Sequence, residues 1–196
     1  MSLVPMRPLL EDAKKEGYAV PPCNVSDMQS IQAMVWAAEE EESPLILAVT
    51  PAIIEYGGLG HLSALGRLAA EDAAVPVAIH LDHGKTLATV QQCIRHGFTS
   101  VMIDGSALSL DENIELTRLI CQLARPVDVT VEAELGTIVQ GDVELSPEAR
   151  RAFMTDPREA ADFVEATGVD ALAVAVGNAH GLYKYEPHVD LDRLQE

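Results

Sequence analysis

Short, almost wholly apolar runs recur along this chain, and each is followed by a segment with helical spacing. The clearest is Leu45-Ile46-Leu47-Ala48-Val49, inside a run at 44–50. Others lie at 75–81, 100–103, 127–133 and 171–176, and a shorter one at 18–20 resumes at 23–25 after Pro21-Pro22. Runs this short, with little polar face, fit strands buried on both sides of a parallel sheet. The segments between them repeat apolar residues three and four apart: Leu9, Leu10 and Ala13 in a helix at 6–17, and Ile31, Met34, Val35 and Ala38 in one at 28–42 with Ser26 as its expected cap. Further helices are expected at 53–74, with Gly57, Gly58 and Gly60 marking turns near its start, and at 86–96, closed by Gly97. Two more follow at 112–123, capped by Ser109 or Asp111, and at 157–167, with Pro157 in first position. The stretch 137–155 reads as a long polar connection.

Strand and helix thus alternate six times with short links, which demands parallel strands joined by right-handed crossovers. An open doubly wound sheet and a (β/α)8 barrel both satisfy that pattern. Neither GxGxxG nor GxxxxGK[ST] occurs, so the nucleotide-binding versions have no support. A barrel takes about 250 residues, and this chain has 196. The expectation is an α/β chain forming a single domain over 1–196: a TIM barrel with about its first six strand–helix units, incomplete at the C-terminus, its outermost strands left as edges.

The polar residues gather where those strands end. Ala78-Ile79-His80-Leu81-Asp82-His83-Gly84 closes one run, Asp104 the next, Glu132 and Glu134 another, and His180 the last. All these ends lie on one side of a parallel sheet, where ligands bind in such folds. A residue ending its strand in solvent explains one such position but not the set. Imidazoles and carboxylates from different strands are the ligand types of zinc or another divalent ion. His80, two residues back inside its strand, is expected to support the site by hydrogen bonding. The 13 lysines and arginines against 31 aspartates and glutamates give a net charge of −18, which argues against nucleic acid or an anionic membrane as partner. Three cysteines without CxxC spacing, no apolar leader and no long apolar run point to a cytoplasmic protein without disulfides, Cys23 being a core thiol.

The strand-end segments, taken in order, resemble the class II, metal-dependent ketose-bisphosphate aldolases. The matching stretches are Gly17-Tyr18-Ala19-Val20 with Asn24-Val25, Ala37-Ala38-Glu39-Glu40-Glu41, Pro44 to Thr50, His80-Leu81-Asp82-His83-Gly84, Gly97-Phe98-Thr99-Ser100-Val101-Met102-Ile103-Asp104-Gly105-Ser106, Val131-Glu132-Ala133-Glu134-Leu135-Gly136, Thr155-Asp156-Pro157, Thr167-Gly168-Val169-Asp170 and Ala173-Val174-Ala175-Val176-Gly177-Asn178-Ala179-His180-Gly181. The resemblance implies reversible cleavage of a ketose 1,6-bisphosphate, of fructose or tagatose type, to dihydroxyacetone phosphate and an aldehyde such as glyceraldehyde 3-phosphate. It makes His83 and His180 two of three catalytic zinc histidines and Asp82 the proton-transferring carboxylate. It makes Asp104 and Glu134 ligands of a second divalent ion. Gly181 would belong to a phosphate site organised with a monovalent cation, and Asn24 and Thr50 would line the pocket. Homodimers or homotetramers are implied as well.

Three departures accompany the likeness. The third histidine would follow a seventh strand, beyond residue 196, since His188 reads as a loop residue. In the loop that is mobile in the family, Asp142 would stand for the first of two acids and act in proton transfer, but Val143 replaces the second and Val139-Gln140 lack the usual glycines. Pro21-Pro22-Cys23 replaces the residues that ordinarily precede Asn24. No lysine sits at a strand end to form a Schiff base, Lys85 and Lys184 both lying past a glycine. The altered loop also admits a non-catalytic aldolase-like barrel that stabilises a partner enzyme, and a folded but inactive piece is a third reading.

Overall fold

The structure, a computed structural model, describes residues 2–196. Helix α1 (Met6–Glu16) comes first and ends at Gly17, whose φ of 77° is the left-handed turn that stops helices. Then follow β1 (Pro22–Asn24), α2 (Met28–Glu40), β2 (Leu45–Val49), α3 (Pro51–Gly57), α4 (Leu59–Asp72), β3 (Val77–Gly84), α5 (Leu87–Arg95), β4 (Ser100–Ile103), α6 (Leu110–Ala124) and β5 (Thr130–Leu135). The remainder is β6 (Val139–Gln140), α7 (Pro147–Phe153), α8 (Pro157–Thr167), β7 (Ala171–Val174), β8 (Ala179–His180) and α9 (Leu191–Gln195). Six strands pair in parallel in the order β1-β2-β3-β4-β5-β7, with β6 and β8 as a separate pair. Each main strand is added beside the previous one, as in a barrel; a doubly wound sheet would reverse its direction of growth. The result is the half-barrel expected from the alternation.

The two faces of the sheet carry different cores, and their parity positions the polar residues. Leu45, Leu47, Val49, Val77, Ile79, Leu81, Val101, Ile103, Val131, Ala133 and Leu135 join one cluster with Ile31 and Val35 of α2, Val90 of α5, Ile120 of α6 and Phe163 of α8. Ile46 and Ala78, one residue out of step, face the other way and pack with Met6 and Leu9 of α1. Side chains alternate along a strand, so His80, Asp82, Met102, Asp104, Glu132 and Glu134 share the concave face with Ile46 and Ala78. Helix α1 plugs the amino-terminal end of that face with apolar side chains. The ionisable groups occupy the other end.

Several local expectations need correction. Residues 18–20 form no strand; only Pro22–Asn24 pairs with β2. Asp27, not Ser26, caps α2: its carboxylate accepts from the Ser30 N–H at 2.7 Å while Ser30 Oγ accepts from the Asp27 N–H. The helix expected at 53–74 is two, because Gly58 takes a φ of 79° and Thr50 caps α3 ahead of it. β3 starts later and runs through His83 to Gly84, and residues 125–127 form a 3-10 turn before β5. The stretch 137–155 is not featureless: it holds β6 and α7. Among the described residues, no helix is long and apolar enough to cross a membrane.

Candidate metal centre and active site

His83 reaches the site by breaking the alternation. Leu81 faces the helix layer and Asp82 the concave face, so simple parity would send His83 outward. Instead Leu81 pairs with Val101 and Gly84 with Ile103, so β3 spends one residue more than β4 over the same span. That extra residue is absorbed at His83, whose φ is 52°, a left-handed conformation unusual for a side chain with a Cβ. Gly84 is required beside it: a Cβ there would lie 2.6 Å from the Met102 carbonyl.

The bulge swings the imidazole onto two carboxylates. His83 Nδ1 lies 2.9 Å from Asp104 Oδ2 and 3.9 Å from Glu134 Oε2, and its Nε2 lies 3.8 Å from Asp82. Potential ligand atoms of His83, Asp104 and Glu134 all fall within 4.8 Å of one another. The His180 ring stands against His83 edge-on, with centroids 5.2 Å apart and planes at 70°. His83, Asp104, Glu134 and His180, but not Asp82, line an open cavity of about 440 Å³ together with Lys85, Ser106 and Thr137. Asp104 Oδ1 accepts from the Ser106 N–H at 3.1 Å and from its hydroxyl at 2.7 Å, while Lys85 Nζ donates to Oδ2.

The electrostatics follow from that crowding. Burial pushes Asp104 up, but hydrogen bonds from His83, Lys85 and Ser106 outweigh it and hold the carboxyl well below the usual range. The hydrogen bond to Asp104 raises His83, against its own burial. Burial, then the charge of Asp104, raises Glu134. One layer deeper, burial and then the His83 charge depress His80 to about 3, so it is a neutral imidazole, its Nδ1 2.8 Å from Ser100 Oγ. Glu132 is pushed up to about 7 by burial, followed by the charge of Asp82.

The family described as fructose-bisphosphate aldolase class-II matches residues 4–196. The chain belongs to this family. Among solved structures it is similar to the YdjI aldolase from Escherichia coli K12, at 34% identity and a TM-score of 0.88, over 98% of this chain and 67% of that one. It is also similar to the fructose-bisphosphate aldolase (Fba) from Campylobacter jejuni, at 27% identity and a TM-score of 0.81, over 98% of this chain and 63% of that one. The chain therefore spans about two thirds of the length of these structures. Class II aldolases are metal-dependent, and the donor set fits a divalent ion: one imidazole and two buried carboxylates converge, with a second imidazole alongside.

Other expected aldolase residues lie outside this cluster. Asp142 is exposed, its carboxylate 3.4 Å from Lys184 Nζ, and does not line the cavity. Its loop is nonetheless tied to His180, because β6 pairs with β8 and the Gly141 N–H donates to the His180 carbonyl at 2.7 Å. Asn24 is exposed at the end of β1, and Thr50 is occupied as the cap of α3, accepting from the Ile53 N–H. Gly181 follows His180 with a φ of 74°. His188 lies in a loop, its carbonyl against Gly177. Lys85, set aside as lying past the strand end, reaches back into the site. Asn113 of α6 is a further addition: it is buried, and its Nδ2 donates to the Glu134 carbonyl at 3.0 Å. The signal in the sequence is an asparagine, with Thr117 one turn on, on the helix face that carries Ile120, Cys121 and Ala124.

Proposed function

We propose that this chain carries the metal-binding part of an aldolase active site that cleaves a ketose 1,6-bisphosphate reversibly to dihydroxyacetone phosphate and an aldehyde such as glyceraldehyde 3-phosphate. The observation that carries the reading is the convergence of His83, Asp104 and Glu134 from the ends of three successive strands. A zinc ion held among these residues and His180 would supply Lewis acidity toward the negative charge that develops on the ketose oxygens. The chain's own residues do the rest. Asp104 and Asp82 both lie beside His83, and Asp104 fixes the ring through Nδ1. Asp82, on the concave face next to the histidine, takes the C4 hydroxyl proton in cleavage and returns it in condensation. The reduced cytoplasm suits the three free cysteines, and a homodimer or homotetramer is the proposed assembly.

The pairing of Asp142 with Lys184 favours a second reading, a non-catalytic subunit that stabilises a partner enzyme, since it ties up the loop acid. One experiment separates them. Chelator-stripped and zinc-reloaded protein is assayed for triose phosphate release from fructose and tagatose 1,6-bisphosphates. Activity lost on stripping and regained with zinc is expected. Full turnover by metal-free protein, or a substrate adduct trapped on lysine by borohydride, overturns the metal mechanism. A chain that takes up no zinc supports the non-catalytic reading.

A further inference from the structure

We propose that Lys85 is a built-in counter-ion for Asp104 that competes with the divalent cation for this carboxylate, so that loading the metal drives the ammonium out of the site. The inference rests on the metal-centre reading above and concerns how that centre behaves when no metal is bound. Asp104 has two oxygens with different commitments. Oδ1 is already held by the N–H and the hydroxyl of Ser106. Oδ2 accepts from His83 Nδ1 and from Lys85 Nζ, so it is the oxygen that a positive charge already contacts. A metal ligated through Oδ2 would therefore meet the ammonium at the same atom, where like charges at close range repel.

The two partners differ in how easily they move. The Asp104 side chain is 3% exposed and fixed by three contacts from His83 and Ser106, whereas that of Lys85 is 58% exposed on a flexible four-carbon stem. The carboxylate stays and the lysine leaves. Among the described residues Lys85 is also the one lysine or arginine lining the cavity, where Asp104 and Glu134 otherwise meet only the imidazoles of His83 and His180 and neutral groups such as Ser106. In the metal-free protein the ammonium takes the place of the missing positive charge and limits their mutual repulsion. The arrangement keeps the donors gathered before metal arrives, at the expense of some affinity for it.

Zinc affinity of the metal-free protein is measured by competition with a chromophoric chelator for wild type, Lys85→Met and Lys85→Arg. Lys85→Met is expected to bind zinc about tenfold more tightly, and Lys85→Arg to stay near wild type. In parallel, acetylation of wild type is followed residue by residue: zinc is expected to speed labelling of Lys85 and leave Lys14, Lys15 and Lys184 unchanged. Should Lys85→Met fold poorly, the labelling of wild type decides. Equal or weaker zinc binding by folded Lys85→Met, or Lys85 labelling that ignores zinc, overturns the competition while the metal centre stands. Absence of zinc binding by wild type and variant alike overturns both.

Discussion

The Nε2 of His80 stands 3.4 Å from Oε2 of Glu132, beneath the metal-centre residues on the concave face of the sheet. The pair is not a simple ion pair. His80 is depressed to about 3, chiefly by burial, and Glu132 is raised to about 7, also chiefly by burial, so each group favours its neutral form. The two push stability in opposite directions with pH. His80 contributes fully above its unfolded value of 6.5 and loses that contribution as pH falls toward 3. Glu132 contributes fully below its unfolded value of 4.5 and loses it as pH rises through about 7. His80→Gln should therefore flatten the acid limb of the stability profile, and Glu132→Gln the limb between pH 4.5 and about 7. Urea unfolding of metal-free protein from about pH 3 to above about pH 7 checks both, and unchanged limbs would refute the assignment.

Asp82 is the group proposed to move the proton, and its removal should separate binding from turnover. Asp82→Asn keeps size and concave placement but cannot accept the C4 hydroxyl proton. Turnover should fall by about a hundredfold or more, with zinc content and unfolding free energy close to wild type. A parallel loss of zinc would make Asp82 a ligand instead.

The bulge that delivers His83 depends on Gly84. An added Cβ would meet the Met102 carbonyl at 2.6 Å and Leu81 Cδ2 at 2.7 Å, and the carbonyl belongs to a central strand that cannot yield cheaply. Gly84→Ala should destabilise the fold by about 1–3 kcal/mol. It should also weaken zinc binding, because relief of the clash moves the left-handed residue beside it. Urea unfolding and chelator competition on the same preparation give both numbers.

What the sequence discloses here follows from periodicity. Val131, Ala133 and Leu135 alternate with Glu132 and Glu134, so the face of each carboxylate is legible once the strand is recognised. The order of the strands is legible too, because each strand–helix unit adds next to the last. The direction of His83 is not, since parity points it outward and only a backbone at φ 52° turns it in. Lys85 escapes for a related reason: its stem lets a residue past the strand end reach back to Asp104. The Asp142–Lys184 pair joins residues 42 apart in loops, where no period exists to reveal it. Helix α7 hides in a polar stretch because its seven residues bury none of their side chains.

Asn113 holds one donor strand from behind and offers a test of how much the metal centre depends on support it never touches. Its Nδ2 donates to the Glu134 carbonyl at 3.0 Å, and its Oδ1 accepts from Thr117 Oγ1 at 3.2 Å. The space is filled closely: a Cβ on Gly105, next to Asp104, would lie 2.3 Å from that same Oδ1. Helix α6 is thus keyed to the ends of β4 and β5 through one amide. Asn113→Ala leaves a buried carbonyl without its donor, which should lower stability by about 1–3 kcal/mol. Loss of the anchor should also reduce zinc affinity by about tenfold or more, the usual effect of removing support behind a ligand. Thr117→Val removes only the hydroxyl contact and should leave zinc affinity near wild type. If Asn113→Ala were destabilised yet bound zinc normally, Glu134 would be held in place by its strand alone.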